Sequence, residues 1–486
     1  MHIKSHRSGW TVSAVLGRLV LGVMAAGAAW LLVRGPRPDS DVPDDRVVVT
    51  YWEKWTGTEA AQLRSIVDEF NRTVGKEKGI YVQLTTISSI HHKTLVATAA
   101  GVPPDIAGVW YGQVPQYAAL GAVTDLTDLA AAGGITEDYY KPVYWDGCLY
   151  RGRLYGLIST PWAVALHYDK QALIETGLDP DRPPRTLEEL ARYTEAINRY
   201  DEDGFLTRAG YVPTLPNWFL PMLPIWFGGQ VYDEQTDELT LTSPEVLAAF
   251  QWLYDYNASI GPRAIRRFQA SMGSRTWASP QNPFLSGDQA MLQQGVWLAN
   301  FIETQKPSWN RWRLDGVDVE QWKRTETRLP LAQRRAHYRW GAAPFPSSVE
   351  GPPVTFAGFD VLVIPSTAKH KKEAMEFLLY LNRQEVMEKL CSMHCKNSPL
   401  AEVSEEFLAN HPNPYIHIFE QMTAGPGAHT YPKIPIWTEL EMYLLYVAQE
   451  IGELRAEPAE ILAETQRIFT AKYDRFRARQ RMRDAR

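Results

Sequence analysis

Cysteine is nearly absent from this chain: it holds three in 486 residues, Cys148, Cys391 and Cys395. An odd, scattered set is no disulfide framework. None precedes Cys148, which excludes lipid attachment at an N-terminal cysteine. The run Cys391-Ser-Met-His394-Cys395 is compatible with a local disulfide or half of a soft-metal site. Two thiols and one imidazole lack the fourth ligand of a structural zinc, so buried or solvent-facing helix positions are the expectation. A surplus of one charge is missing too: 50 Lys and Arg against 56 Asp and Glu leave a formal −6, which calls for no nucleic-acid partner. Short catalytic motifs are likewise lacking. There is no Gly-x-Ser-x-Gly elbow, no His-Glu-x-x-His and no phosphate loop, and His91-His92 stand without a third ligand type. No cofactor or metal is expected. Glycoside hydrolysis survives this filter, because two carboxylates flanking a sugar leave no short motif.

Aromatic side chains are what the chain does have. Its 17 Trp and 23 Tyr bring aromatics to 12%, in a composition that is 45% hydrophobic and 22% charged. Rings with a polar handle suit surfaces that are apolar in one place and wet in another, although most must still be core. The length exceeds one ordinary core, so two lobes are expected. At the N-terminus, Lys4 and Arg7 precede a mostly apolar run from Val12 to Val33. That run reads as a cleaved export signal or an uncleaved membrane anchor, the anchor being favoured because the apolar stretch continues past Ala26-Gly27-Ala28. A polar tether rich in Pro and Asp follows, to Arg46. The C-terminal run from Lys472 is basic and reads as a solvated helix end, with contact to anionic lipid as the alternative.

Between these ends strands and helices alternate. Val47 to Tyr51 and Ile80 to Ile87 read as strands, Glu59 to Asn71 as an amphipathic helix, and His91 to Ala100 as a small-residue helix. Pro103-Pro104 stop that helix, Asp105 shapes a turn, and Ile-Ala-Gly-Val leads into Trp110-Tyr111. The alternation implies a largely parallel sheet with helices on both faces. Thr186 with Glu189 forms a capping box. Asp201-Glu202-Asp203-Gly204 reads as a plain turn rather than a calcium loop. Pro213 to Gly229 reads as a rigid loop over a surface, Asn310 to Arg339 as a charged surface arm, and the C-terminal third as helical.

Three unrelated strand–helix junctions put Trp at a carboxyl edge: Trp52/Trp55, Trp110 and Trp297. Trp162, Trp218 and Trp437 lie in turn-like contexts that could face the same space. Open α/β sheets bind ligands at that edge. A sugar offers apolar C–H faces and a hydroxyl rim, so indoles stack on it while carboxylates and amides bind the rim. Glu53 and Asp360 are the acidic residues best placed among these tips, and the glycosidase alternative assigns them the two carboxylate roles.

In their order along the chain, several stretches resemble the family 1 extracellular solute-binding proteins of ABC transporters, relatives of maltose-binding protein. They are Ala99 to Asp105, Gly152-Arg153-Leu154-Tyr155-Gly156, Tyr168-Asp169-Lys170 with Gly177-Leu178, Pro184 to Leu190, Asp201 to Gly204 with Gly210, Phe284 to Trp297, and Asn397-Ser398-Pro399-Leu400. The resemblance covers about residues 46 to 470. It implies a two-lobed α/β periplasmic-binding-protein fold (type II-like) with a hinge and a helical C-terminal part. Lobe 1 would be 47–164 and 340–382, and lobe 2 165–339 and 383–486, after an anchor (1–34) and linker (35–46). Crossings would fall near Val164 to His167, near Arg339 to Ala343 and after Asn382. Implied too are an extracytoplasmic, membrane-tethered monomer, a carbohydrate ligand held in the cleft without catalysis, and ABC permease subunits as partners. The ligand set would be Glu53, Trp55, Trp110, Tyr111, Trp162, Trp218, Trp297, Asp360 and Trp437. Trp162 stands where some relatives carry a carboxylate. A sugar-sensing or scaffold protein is the remaining alternative.

Overall fold

The computed structural model describes residues 42–484 except 273–278, 280, 314–323 and 325–328. The segment read as signal or anchor lies outside the described residues, as does the tether up to residue 41. Among the described residues no helix is long and apolar enough to cross a membrane.

Fourteen strands occur among the described residues: β1 (Val47–Glu53), β2 (Ile80–Thr86), β3 (Ile106–Trp110), β4 (Leu149–Tyr150), β5 (Arg153–Leu154), β6 (Leu157–Asp169), β7 (Arg199–Tyr200), β8 (Leu206–Tyr211), β9 (Tyr232–Asp233), β10 (Glu238–Leu239), β11 (Gln289–Gly295), β12 (Trp340–Ala343), β13 (Thr355–Val363) and β14 (Ala428–His429). Ten of them form one sheet in the order β2-β1-β3-β13-β6-β11-β8-β7, with β12 on β6 and β14 on β13. β4–β5 and β9–β10 are separate hairpins.

The sheet is mixed rather than largely parallel. β1, β2 and β3 run parallel, as β8 and β11 do, but β13 is antiparallel to both β3 and β6, and β6 to β11 and β12. β13 enters the first half of the sheet after the chain has visited the second half. Local periodicity carries no record of that direction.

One strand joins the two halves. All thirteen residues of β6 are buried, as expected of a strand covered on both faces. Leu157–Ala163 pair with β13, and from Val164 onward the partners are β11 on one edge and β12 on the other. β12 therefore pairs with the same stretch of β6 as β11 does. Helix Gln384–Met393 packs on helix Gly57–Arg72, where Gln62 Nε2 donates to the Met393 carbonyl at 2.8 Å, and Lys141 N donates to Pro399 O at 2.9 Å.

Two segments read as surface features carry buried residues. Leu220–Phe227 winds as a 3-10 helix, and Trp226 is fully buried with its Nε1 donating to Val354 O at 3.2 Å. Pro221 and Pro224 cannot donate backbone bonds, which favours the tighter winding but does not expose the segment. In the stretch read as an arm, Asn310 and Arg334 are buried, and the Arg334 guanidinium donates to Ala409 O and His411 O. Asp105, read as bonding amides of its own turn, accepts instead from distant backbone amides. They belong to Thr50, Lys369 and His370, so it ties β1 to the start of helix Lys371–Leu381. Cys148, Cys391 and Cys395 are free and buried, and Asp201 Oδ1 accepts from the amides of Asp203 and Phe205, closing a turn.

Candidate ligand site

Strand register gathers the site. Asp360 lies opposite both Trp110 and Thr160, and Gly358 lies opposite Trp162. Residues two apart on a strand share a face and sit about 7 Å apart. Trp110, Thr160, Trp162, Gly358 and Asp360 therefore share one face of the sheet beside the joint. The register also explains the small residue at 358, because a Cβ there would come within 2.3 Å of Trp162 Cζ2 and 2.5 Å of Tyr111 Cε1.

One part of this face is polar. Glu53, 1% exposed, accepts from Tyr51 OH at 2.6 Å and from Lys54 N at 2.7 Å. Lys54 Nζ lies 2.8 Å from Asp360 Oδ1 and 3.5 Å from Glu53 Oε1. On the other side of Asp360, itself 5% exposed, Thr160 Oγ1 is 3.4 Å from Oδ2, and Lys396 Nζ reaches Thr160 Oγ1 at 3.0 Å and Asp360 Oδ2 at 3.8 Å. Burial works against the Lys54 ammonium, but the nearby Asp360 and Glu53 carboxylates outweigh it and hold its pKa above the ordinary lysine value. Burial, then Glu53, pushes the Tyr51 hydroxyl well up. Lys54 thus lies between Glu53 and Asp360, and Lys396 approaches Asp360 from the other side and Glu59 at 4.0 Å.

Trp55 and Trp110 border the network. Trp55 is buried edge-on against His394, with Lys54 and Lys396 ammonium groups 5.3 and 5.2 Å from its ring. Trp110 is 49% exposed, with Lys54 Nζ 5.8 Å from its ring and His91 6.0 Å away.

The other part of the face is aromatic. Trp162 meets Trp297 at 5.8 Å, Phe356 at 5.0 Å and Phe219 at 6.3 Å. Tyr111 stacks between Phe359 (4.3 Å) and Tyr431 (5.0 Å), and Tyr431 packs on Trp437 at 5.0 Å. Trp218 is 39% exposed and touches the cluster through Phe219. Trp437 is 1% exposed, against Gly112. Glu441, one helical turn beyond Trp437, is pushed up to about 7 by burial, against the pull of its hydrogen bond with Tyr431.

The sequence-derived residues fall into two linked groups. Glu53, Trp55, Trp110 and Asp360 meet through Lys54, and Tyr111, Trp162, Trp218, Trp297 and Trp437 through Phe219, Phe356 and Tyr431. Trp110, Trp218 and the half-buried Trp297 retain open ring surface, whereas Trp55, Tyr111, Trp162 and Trp437 are buried. Sequence reasoning passed over Lys54, Thr160, Phe219, Phe356, Lys396 and Tyr431. Lys54 and Phe219 are chain neighbours of residues it did choose. Lys396 carried no signal, since it arrives through a left-handed turn at Cys395 (φ 55°) after helix Gln384–Met393.

Comparison with known proteins follows this geometry. A maltotriose-binding protein of Pyrococcus abyssi is 22% identical over 259 residues, 52% of this chain and 51% of that protein. The sn-glycerol-3-phosphate-binding periplasmic protein UgpB of Pectobacterium atrosepticum is 23% identical over 239 residues, 47% of this chain and 51% of its own. The chain thus spans about half the length of the curated relatives it matches. Among solved structures, CpMnBP1 with mannobiose bound superposes with a TM-score of 0.70 at 21% identity, covering 87% of this chain and 99% of that one. The sugar-binding protein MalE of Xanthomonas citri superposes with a TM-score of 0.68 at 19% identity, over 90% and 100%. Those likenesses establish the two-lobed fold. The profile of the bacterial extracellular solute-binding proteins matches residues 65–405, and the chain belongs to that family.

Proposed function

We propose that this chain is an extracytoplasmic receptor for a carbohydrate, an oligosaccharide in particular, that closes its lobes on the ligand and delivers it intact to an ABC permease. The observation that carries the reading is the set of open indoles on both halves of the sheet: Trp110 at the end of β3, Trp218 after β8 and Trp297 after β11. In this reading they stack on sugar rings while Trp162 and Tyr111 form the floor. The Glu53–Lys54–Asp360 network borders the hydroxyl rim, and Trp55 and Trp437 support the walls. Trp162, in place of a carboxylate, exchanges a hydroxyl contact for ring surface. Lobe 1 takes in β1–β3 and β13, lobe 2 takes in β7–β8 and β11–β12, and β6 crosses between them. The apolar N-terminal run tethers the receptor beside its permease as a monomer. The names of the relatives support the ligand class and a binding role.

The test is ligand-dependent thermal stability of the full chain in a non-glycosidic detergent, against mannobiose, maltotriose and sn-glycerol 3-phosphate. A ligand bound only by the native state raises the apparent Tm. One of the two sugars should do so, and Trp110→Ala should weaken it by about ten- to a hundredfold in Kd, the equivalent of losing ~1.5–3 kcal/mol of buried ring. The ligand-free Tm should stay unchanged, because half of Trp110 is already in water. Stabilisation by the phosphate ester alone, or a Trp110→Ala variant that binds as tightly as the parent, would refute the carbohydrate assignment.

A further inference from the structure

A cavity of about 570 Å³ separates helix Pro142–Cys148, which belongs with the first half, from Leu220–Phe227 and the β9–β10 hairpin, which belong with the second. Pro142, Val143, Pro221, Ile225 and Tyr431 are among the residues that line it. Interiors are close-packed with few voids larger than a water molecule. A gap of this size between elements of the two halves leaves them room to pivot.

Polar contacts span the gap at two places. Lys433 Nζ lies 2.6 Å from Asp146 Oδ1, on helix Pro142–Cys148, and 3.0 Å from Glu234 Oε2, in the β9–β10 turn. Further along, the C-terminal helix Pro458–Asp484 is fixed to the second half by buried Phe469 and Tyr473 and by Asp237, which accepts from Tyr473 OH at 2.6 Å and Arg477 Nη1 at 3.0 Å. One turn later Gln480 Oε1 accepts from Arg151 Nη2 at 3.2 Å. Arg151 is the tip of the β4–β5 hairpin, which Leu126 N and the Arg153–Asp125 pair tie to the first half. Lys433, Arg477 and Gln480 all lie outside the span matched by the family profile, residues 65–405.

We propose that Lys433 and the C-terminal helix form a clasp between the two lobes, which holds them at the angle seen here and lets go when they pivot. The proposal rests on the two-lobed reading and not on the identity of the ligand. One ammonium bridges carboxylates carried by different lobes, so any motion that changes the Asp146–Glu234 separation breaks one of its contacts. Both carboxylates are largely exposed, 61% and 45%, so the contact is weak enough to break reversibly and is screened by salt. The Arg151–Gln480 bond adds a second, neutral-acceptor rung.

Interlobe distance, measured by double electron–electron resonance without any ligand, tests this directly. Spin labels go on Leu129→Cys in helix Thr127–Ala132 and Glu195→Cys in helix Leu187–Ile197, both exposed, in the full chain in detergent. The native thiols stay unlabelled, since burial keeps them protonated, pushing Cys395 up to about 12 and the other two higher. Lys433→Ala with Gln480→Ala should shift or broaden the distance distribution relative to the parent at low salt. High salt should move the parent the same way and add little to the double variant, and Lys433→Arg should restore the parent distribution. The separate substitutions Asp146→Asn and Glu234→Gln check the same bridge from its other ends should the double variant fold poorly. Superimposable distributions for parent and double variant at low salt would overturn the clasp. A protein that shows the shift but binds no sugar would overturn only the carbohydrate assignment.

Discussion

Gly358 is the position where the candidate site is most tightly specified. It faces Trp162 across the β13–β6 register, and a methyl group there would press on Trp162 and Tyr111 together. Both rings are packed on their other sides, Trp162 by Phe356 and Tyr111 by Phe359, so neither can retreat cheaply. Gly358→Ala should therefore cost about 1–3 kcal/mol, as overpacked cores do, read as a lower urea midpoint with an unchanged m-value. Adding Trp162→Leu should recover part of the loss, because the two changes share one space. Additive effects would mean that the ring and the methyl group do not compete. At this scale the chain was legible for types and not for exposure. The Trp residues at strand tips are where the sequence puts them, but nothing local to Trp110 or Trp437 says that one is half in water and the other 1% exposed. Part of that difference comes from Gly112, which reaches Trp437 from a distant part of the chain, while Tyr431 packs on it from six residues away.

Elements follow the same division between local and distant causes. Helix Leu187–Ile197 starts where Thr186 can cap it: its side chain accepts from Glu189 N at 3.1 Å. The reciprocal half of the box is displaced by one residue, with Glu189 Oε2 accepting from Arg185 N at 2.9 Å. Thr186→Ala should cost about 1 kcal/mol, and Thr186→Ser should be nearly neutral, both measured by urea unfolding. Equal losses for the two would mean that the cap is irrelevant and the threonine methyl matters. Caps, proline stops and amphipathic spacing are written within a few residues, so they can be read from sequence. The partners of β13 cannot. Thr355–Val363 pairs with Leu157–Ala163 almost two hundred residues earlier, and neither segment encodes the direction of the other. The same limit hid Leu220–Phe227, whose prolines look like a loop while Trp226 sits fully buried.

Across the whole molecule, the order of motifs points to two lobes, and the likeness to solved sugar-binding proteins bears that out. The buried interior also makes the protein sensitive to acid. His167 lies on the crossing half of β6 and is fully buried, with its ring stacked near Trp340. His411, equally buried, is fixed as the neutral ring: Nδ1 accepts from Asn413 N at 3.0 Å, which leaves Nε2–H to donate to Lys396 O at 3.0 Å. Burial depresses both to about 3. In the unfolded chain each binds a proton below about 6.5. Between these limits the unfolded state holds more protons, so stability is fully present above about pH 6.5 and falls as pH drops towards 3. At pH 5 each such histidine should cost about 2 kcal/mol relative to pH 8. His411→Gln keeps a donor and an acceptor but cannot titrate. It should be less stable than the parent at pH 8, through imperfect geometry, yet lose about 2 kcal/mol less on going to pH 5. Carboxylate protonation is common to both proteins and cancels in that difference. Urea unfolding of parent and variant at pH 8 and pH 5 measures it, and parallel losses in the two would mean that His411 is already protonated in the fold or that it opens to solvent before the molecule unfolds.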